Sequence, residues 1–290
     1  MNLTRSLLAY GRPILTYGRM IKFSHSIFAM PFALAAGRLA MREVSVTWTQ
    51  WGLIVACMVS ARSCAMGFNR IVDRSYDARN PRTAIREIPS GVISLNAARG
   101  LTLLAAIVFV LLAALLHPLC GWLSPVALVV VCGYSYAKRF TALVHLWLGV
   151  ALGLAPVAVW IALTGTVGLP ALLLAGAVAT WVSGFDILYS LQDEAFDRAQ
   201  RLHSIPAALG QVGALWVSGG LHVITAGLLA ALPRVAPLGA FYWVGWALIV
   251  GVLAYEHWLV RPGDLSRIDK AFFDLNGYVS LLFFVAVLAG

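Results

Sequence analysis

The chain has 290 residues, of which 61% are hydrophobic and only 11% charged, and its mean hydropathy is +0.85. Soluble domains carry closer to a quarter of charged residues, so an ordinary water-soluble domain is excluded and a membrane protein is expected. The formal net charge of +9 comes from basic residues spread over short loops with no single patch, which argues against a nucleic-acid partner.

Apolar runs recur at 21–40, 51–69, 97–117, 121–137, 142–163, 169–190, 211–232, 238–259 and 271–289. Each approaches the ~20 residues a bilayer crossing needs, so the expected fold is all-α: a single bundle of nine transmembrane helices forming one domain over 1–290. The segment before the first run shows no small-residue cleavage site and is expected to stay on the protein. Cys57, Cys64, Cys120 and Cys132 lie in or beside these runs without C-x-x-C spacing, which reads as free buried thiols. His117, His145, His222 and His257 look isolated and receive no role.

The second run ends in FNRIVDRSYDAR, residues 68–79, where Asn69, Asp73 and Asp77 fall four apart. On a helix they form an oxygen-rich stripe on one face. The loop RTAIREIPSG follows and can bring Arg86 to an anion; Tyr134 and Lys138 of YSYAKR stand four apart at the end of the fourth run. After the sixth run, DILYSLQDEAFDR repeats the device with Asp186, Asp193 and Asp197 on one face. Two such stripes suit Mg²⁺, which binds through one or two carboxylates together with substrate phosphate oxygens. The plainer reading of either stripe alone is a solvated helix end paired with Arg74 or Arg198, and of Arg139 a headgroup anchor. Ionisable residues duplicated at membrane depth favour the functional reading. The recurrence also suggests an internal repeat.

Seventeen of the 21 Lys and Arg fall in segments that share a side with the N-terminus, three fall opposite, and Arg62 lies inside the second run. The positive-inside rule then places the N-terminus and both acidic stripes in the cytoplasm.

NRIVDRSYD resembles the first aspartate motif of the UbiA-type membrane prenyltransferases. RTAIREIPSG is similar to the loop that follows it there, YSYAK to their Y-x-x-x-K element, and DILYSLQDEAFDR followed by HSIPAALG to their second motif. The resemblance covers nearly the whole chain. It implies Mg²⁺-dependent transfer of a polyprenyl group from its diphosphate to an aromatic acid, of the 4-hydroxybenzoate or dihydroxynaphthoate kind, for quinone biosynthesis in a bacterial inner membrane. Asn69, Asp73 and Asp77 would hold one Mg²⁺ with the diphosphate, and Asp193 and Asp197 a second; Arg86, Tyr134 and Lys138 would steady the departing diphosphate, and Asp186 would serve the acceptor. Arg70, where many members carry Asp, and Glu87, where many carry Pro, depart from the pattern and resemble a 4-hydroxybenzoate polyprenyltransferase-like bacterial subgroup associated with menaquinone formation. Lys22 and His25 in IKFSHSIFAMPF are the expected partners of the acceptor's carboxylate, with Ser183 and Asn276 as further polar lining. Phe68, Tyr189 and Phe196 are candidates to shield an allylic cation. The alternatives are a polytopic transporter with a buried acidic cation site, or the same fold acting on haem or another acceptor.

Overall fold

The computed structural model describes residues 16–18, 20 and 28–290, and every long element in it is a helix. Helix α1 covers Met30–Ala40, α2 Trp48–Asp77, α3 Leu95–Leu116, α4 Pro118–Ala137 and α5 Val144–Thr164. They are followed by α6 at Leu169–Ser190, the short α7 at Glu194–Ala199, α8 at Ile205–Ala231 and α9 at Ala240–Leu259. The last, α10, spans Ile268–Ala289 and contains a π-helical turn at Ala271–Leu275.

Among the described residues seven helices are long and apolar enough to cross a membrane, not the nine expected. These are α2, α3, α4, α5, α6, α8 and α10. The two shortfalls have separate origins. Only the eleven residues Met30–Ala40 of the first run are described as a continuous helix. In α9 the aromatic and polar residues Tyr242, Trp243, Trp246, Tyr255, Glu256, His257 and Trp258 dilute the aliphatic content.

Local signals set the helix starts. Thr47 and Gln50 form a reciprocal capping box before α2. Ser94 and Ser204 cap α3 and α8 by accepting the backbone N–H groups of Ala97 and Ala207. His117 gains a role here: its Nδ1 accepts the Leu119 N–H at 3.2 Å and starts α4.

Helix α6 lies at the centre, with Ala171, Leu174, Ala177, Val178, Trp181 and Val182 fully buried. Against it α5 approaches closely, because a Cβ at Gly149 or Gly153 would collide with the carbonyls of Ala179 and Ala175. Phe32 of α1 stacks on Phe283 of α10 at 4.4 Å between ring centroids, closing the apolar core above Trp181. A polar tie crosses the same region. Trp181 Nε1–H donates to Asn276 Oδ1 at 2.8 Å, and Asn276 Nδ2 donates to Glu256 Oε1 at 2.9 Å. Nearby, His222 and His257 bond to each other at 3.0 Å. Asn276, expected to line a substrate cavity, is instead fully buried as a link between α6, α9 and α10, and it also donates to two carbonyls of the π turn.

In α8, Gly210 has φ 71° and interrupts the helix. The Arg198 guanidinium donates to the Ala207 carbonyl at 3.0 Å and reaches that of Pro206 at 3.5 Å, satisfying groups beside the kink. This pins the HSIPAALG segment beside α7. The loop after α2 folds over the same end: Asn80 and Arg82 both reach Asp193, 113 and 111 residues away. The two acidic stripes therefore meet at one end of the bundle.

Candidate active site

Five aspartates line one cavity of about 290 Å³ at that end: Asp73, Asp77, Asp186, Asp193 and Asp197. Four of them each face a cation. Arg139 stands 3.7 Å from Asp73, Arg86 2.6 Å from Asp77, Arg82 2.5 Å from Asp193 and Lys138 3.2 Å from Asp197. Three of the pairs join elements distant in sequence, and the fourth, Arg86 with Asp77, joins the end of α2 to the loop that follows it, so the charges converge through the fold and not through helical spacing. Arg82 also donates to the Tyr189 hydroxyl at 3.3 Å. Burial opposes its charge, but the adjoining Asp193 carboxylate more than offsets this and raises the guanidinium pKa.

The expected residues Asn69, Arg86, Tyr134 and Lys138 line this cavity with the aspartates. Asn69 Nδ2 donates to Asp73 at 2.8 Å and reaches Ser135 at 3.4 Å, which commits the amide nitrogen within the cavity wall. Lys22 and His25 lie outside the described residues. Ser183 is not part of the lining: fully buried, it donates to the carbonyls of Ala179 and His145. Tyr189 and Phe196 face the cavity, whereas Phe68 packs edge-on to Tyr136 outside it. Arg74 and Arg198 pair with none of the five aspartates. Arg74 donates to the Ile71 carbonyl and Arg198 meets Glu194.

Sequence reasoning passed over several members. Arg82 and Asn80 both grip Asp193, and Arg139, read as an anchor, faces Asp73 while packing over the Tyr76 and Tyr136 rings. His145, assigned no role, sits 2.7 Å from Asp186. Arg62, left unassigned inside its span, lines both this cavity and its neighbour. A cation within an apolar run was the available signal for it.

The neighbouring cavity, about 370 Å³, is almost entirely apolar and runs between α2, α3, α4 and α5. Arg62, Met66, Tyr134, Leu148 and Leu152 line both, so the charged end opens onto a greasy interior. At the junction the Arg62 Nε is buried with no hydrogen-bond partner among the described residues. A buried donor of this kind is open to an acceptor from water, ion or ligand.

The donor set fits Mg²⁺. Asp77 Oδ2 is likewise buried without a hydrogen-bond partner among the described residues, and the available ligand atoms are hard oxygens. Among the described residues no three Cys, His, Asp or Glu side chains converge as a self-sufficient metal cage. A site of this kind leaves coordination positions to phosphate and water, as Mg²⁺ prefers. Cys64 and Cys132 remain free thiols with their sulfurs 3.9 Å apart.

Comparison with known proteins bears on the family and the fold. Residues 29–286 match the UbiA prenyltransferase family. A 4-hydroxybenzoate octaprenyltransferase of Nitrosospira multiformis is 29% identical over 235 residues, covering 81% of this chain and 80% of the relative. The apo structure of a UbiA homologue from Aeropyrum pernix K1 is 33% identical with a TM-score of 0.83, over 91% of this chain and 97% of that one. A UbiA homologue from Archaeoglobus fulgidus bound to GPP and Mg²⁺ shares the fold at 18% identity, with a TM-score of 0.75 over 94% and 98% of the two chains.

Proposed function

The chain belongs to the UbiA prenyltransferase family, and on that premise we propose that it transfers a polyprenyl group from its diphosphate to an aromatic acid within the membrane. One observation carries the reading: four carboxylate–cation pairs surround a cavity that opens directly onto an apolar one. The first suits a metal-bound diphosphate and the second its hydrocarbon tail.

Asn69, Asp73 and Asp77 would hold one Mg²⁺, and Asp193 and Asp197 a second. When bound, Mg²⁺ supplies charge stabilisation for the departing diphosphate. Arg82, Arg86, Lys138 and Arg139 turn to the phosphate oxygens on binding and stabilise the charge that grows there as the allylic C–O bond breaks and its electron pair leaves with the diphosphate. Tyr189 and Phe196 present ring faces to the allylic cation, while the apolar walls keep water from it. The acceptor's carboxylate pairs with Arg62, whose open Nε faces this need, and its hydroxyl meets Asp186. A ring carbon ortho to that hydroxyl forms the new C–C bond and then loses its proton. The acceptor is of the 4-hydroxybenzoate or dihydroxynaphthoate type, and the product serves quinone biosynthesis.

The test is an assay of purified membranes with labelled prenyl diphosphate against 4-hydroxybenzoate and 1,4-dihydroxy-2-naphthoate in parallel. At least one acceptor should be prenylated with Mg²⁺ and neither after chelation. Turnover of neither, together with ion flux in liposomes, would sink the reading in favour of a transporter.

For topology we propose nine crossings in a bacterial inner membrane, with α9 and the first run joining the seven longer helices. The N-terminus and the active site lie in the cytoplasm. The basic residues support this orientation. Cysteine labels at Arg82, Arg201 and Ser266 should react only from the cytoplasmic side, and one at Pro233 only from the other. Labels at Arg82 and Pro233 reacting from the same side would reject the arrangement.

A further inference from the structure

We propose that His145 is a positioning residue for the acceptor half of the reaction: as a neutral donor and acceptor of hydrogen bonds, it aims the Asp186 carboxylate at the acceptor's hydroxyl. This rests on the prenyl-transfer reading above. Asp186 differs from the other four cavity aspartates, because among the described residues no Lys or Arg lies within ion-pair distance of it. Its partner is His145 on α5, a fully buried imidazole whose Nδ1 is 2.7 Å from Asp186 Oδ2.

The second ring nitrogen fixes the tautomer. Backbone N–H of Ile205, the first residue of α8, donates to His145 Nε2 at 3.4 Å, so the ring proton sits on Nδ1 and points at the aspartate. The backbone is held as well, since Ser183 Oγ donates to the His145 carbonyl at 3.1 Å. Three helices thus clamp one imidazole, and the imidazole clamps one carboxylate oxygen. The Asp186 side chain remains 23% exposed, which leaves part of the carboxylate open to the cavity.

The chemistry explains why a fixed cation would serve poorly there. A carboxylate that must attract a phenolic hydroxyl has its pull weakened by a permanent positive charge alongside. A neutral N–H orients it without that competition. Asp186 precedes Asp193 by seven residues on α6 and the segment after it. It therefore stands away from the paired carboxylates, at the level where an acceptor would meet the allylic carbon.

Glutamine offers the same two functions as this tautomer, an N–H toward Asp186 and an oxygen toward the Ile205 N–H. The test therefore uses His145→Leu and His145→Gln, alone and combined with Asp186→Asn, in membranes supplied with prenyl diphosphate and the preferred acceptor. His145→Leu should lower kcat/KM for the acceptor by about a hundredfold, the scale of a small misplacement of a reacting group. It should leave KM for prenyl diphosphate within about twofold and raise the fraction diverted to prenyl alcohol. His145→Gln should recover most of the loss. In the Asp186→Asn background, His145→Leu should add little, because the two act as one unit.

Equal losses in transfer and in diphosphate binding, undiminished in the Asp186→Asn background, would make His145 a structural bridge and overturn the proposal. Should His145→Leu fail to accumulate, His145→Gln decides alone: near-wild-type transfer upholds a neutral positioning role, and loss of transfer in a folded protein refutes it. A wild-type protein that prenylates neither acceptor would instead bring down the prenyl-transfer reading, and this inference with it.

Discussion

Asp73→Ala and Asp193→Ala should each lower prenyl transfer by at least about a hundredfold, the scale of losing one strong electrostatic contact to a developing charge. Both proteins should fold. Asp73 and its partner Arg139 are 29% and 36% exposed, so the arginine left behind is rehydrated at the cavity mouth and its pairing contributes little to stability. The same holds for Arg82, 34% exposed, once Asp193 is removed. Asp77 and Asp197, at 8% and 2%, are different. Truncating these two packed carboxylates opens a cavity beside Arg86 or Lys138, so these variants should lose activity and also melt earlier. Turnover of labelled substrate and thermal unfolding in the same detergent read both effects. Asp73→Ala retaining more than a tenth of wild-type transfer, or melting as early as Asp197→Ala, would identify the stripe as structural.

A second large effect is expected from narrowing the apolar cavity. Ala127 on α4 and Ala155 on α5 line it with a single methyl group each. Phenylalanine at either position occupies space the prenyl tail would need. Each buried CH₂ is worth about 0.8 kcal/mol, so displacing even one five-carbon unit costs more than a hundredfold in affinity. Ala127→Phe and Ala155→Phe should therefore lower kcat/KM for a long polyprenyl diphosphate by at least about that factor. Geranyl diphosphate, whose short tail stays near the charged end, should be used within severalfold of wild type. Parallel losses for both donors would show that the tail lies elsewhere.

Much of this architecture is readable from the sequence because its signals are local. Runs of apolar residues announce the spans, and spacing by four places Asn69, Asp73 and Asp77 on one face. What spacing cannot reveal is which distant groups the fold brings opposite. Arg82 meets Asp193 across 111 residues and His145 meets Asp186 across 41. Read along the chain, the first looks like one more positive loop residue and the second like a stray histidine in an apolar run. Arg139 was hidden in the same way, since a cation at a helix end satisfies the topology rule whether or not it faces a carboxylate. Asn276 erred in the opposite direction: a polar residue in a span suggested a cavity wall, yet Trp181 and Glu256 satisfy it completely. In α9, tryptophan and tyrosine pack well but count little toward hydropathy, which separates a run seen by eye from one that qualifies as a span.

The four ion pairs make the resting protein its own counter-ion. An anion arriving alone would draw Arg82, Arg86, Lys138 and Arg139 away and strand four carboxylates beside one another; a divalent cation arriving alone would strand the four basic groups. Neither exchange is favourable by itself, whereas together each displaced group finds a new partner. Diphosphate and Mg²⁺ should therefore bind with mutual cooperativity, each raising the other's affinity by the same factor. The reset follows the same logic. As the spent diphosphate departs, the carboxylates and cations should recapture one another, and the recovered attraction should help release the product and restore the four resting pairs.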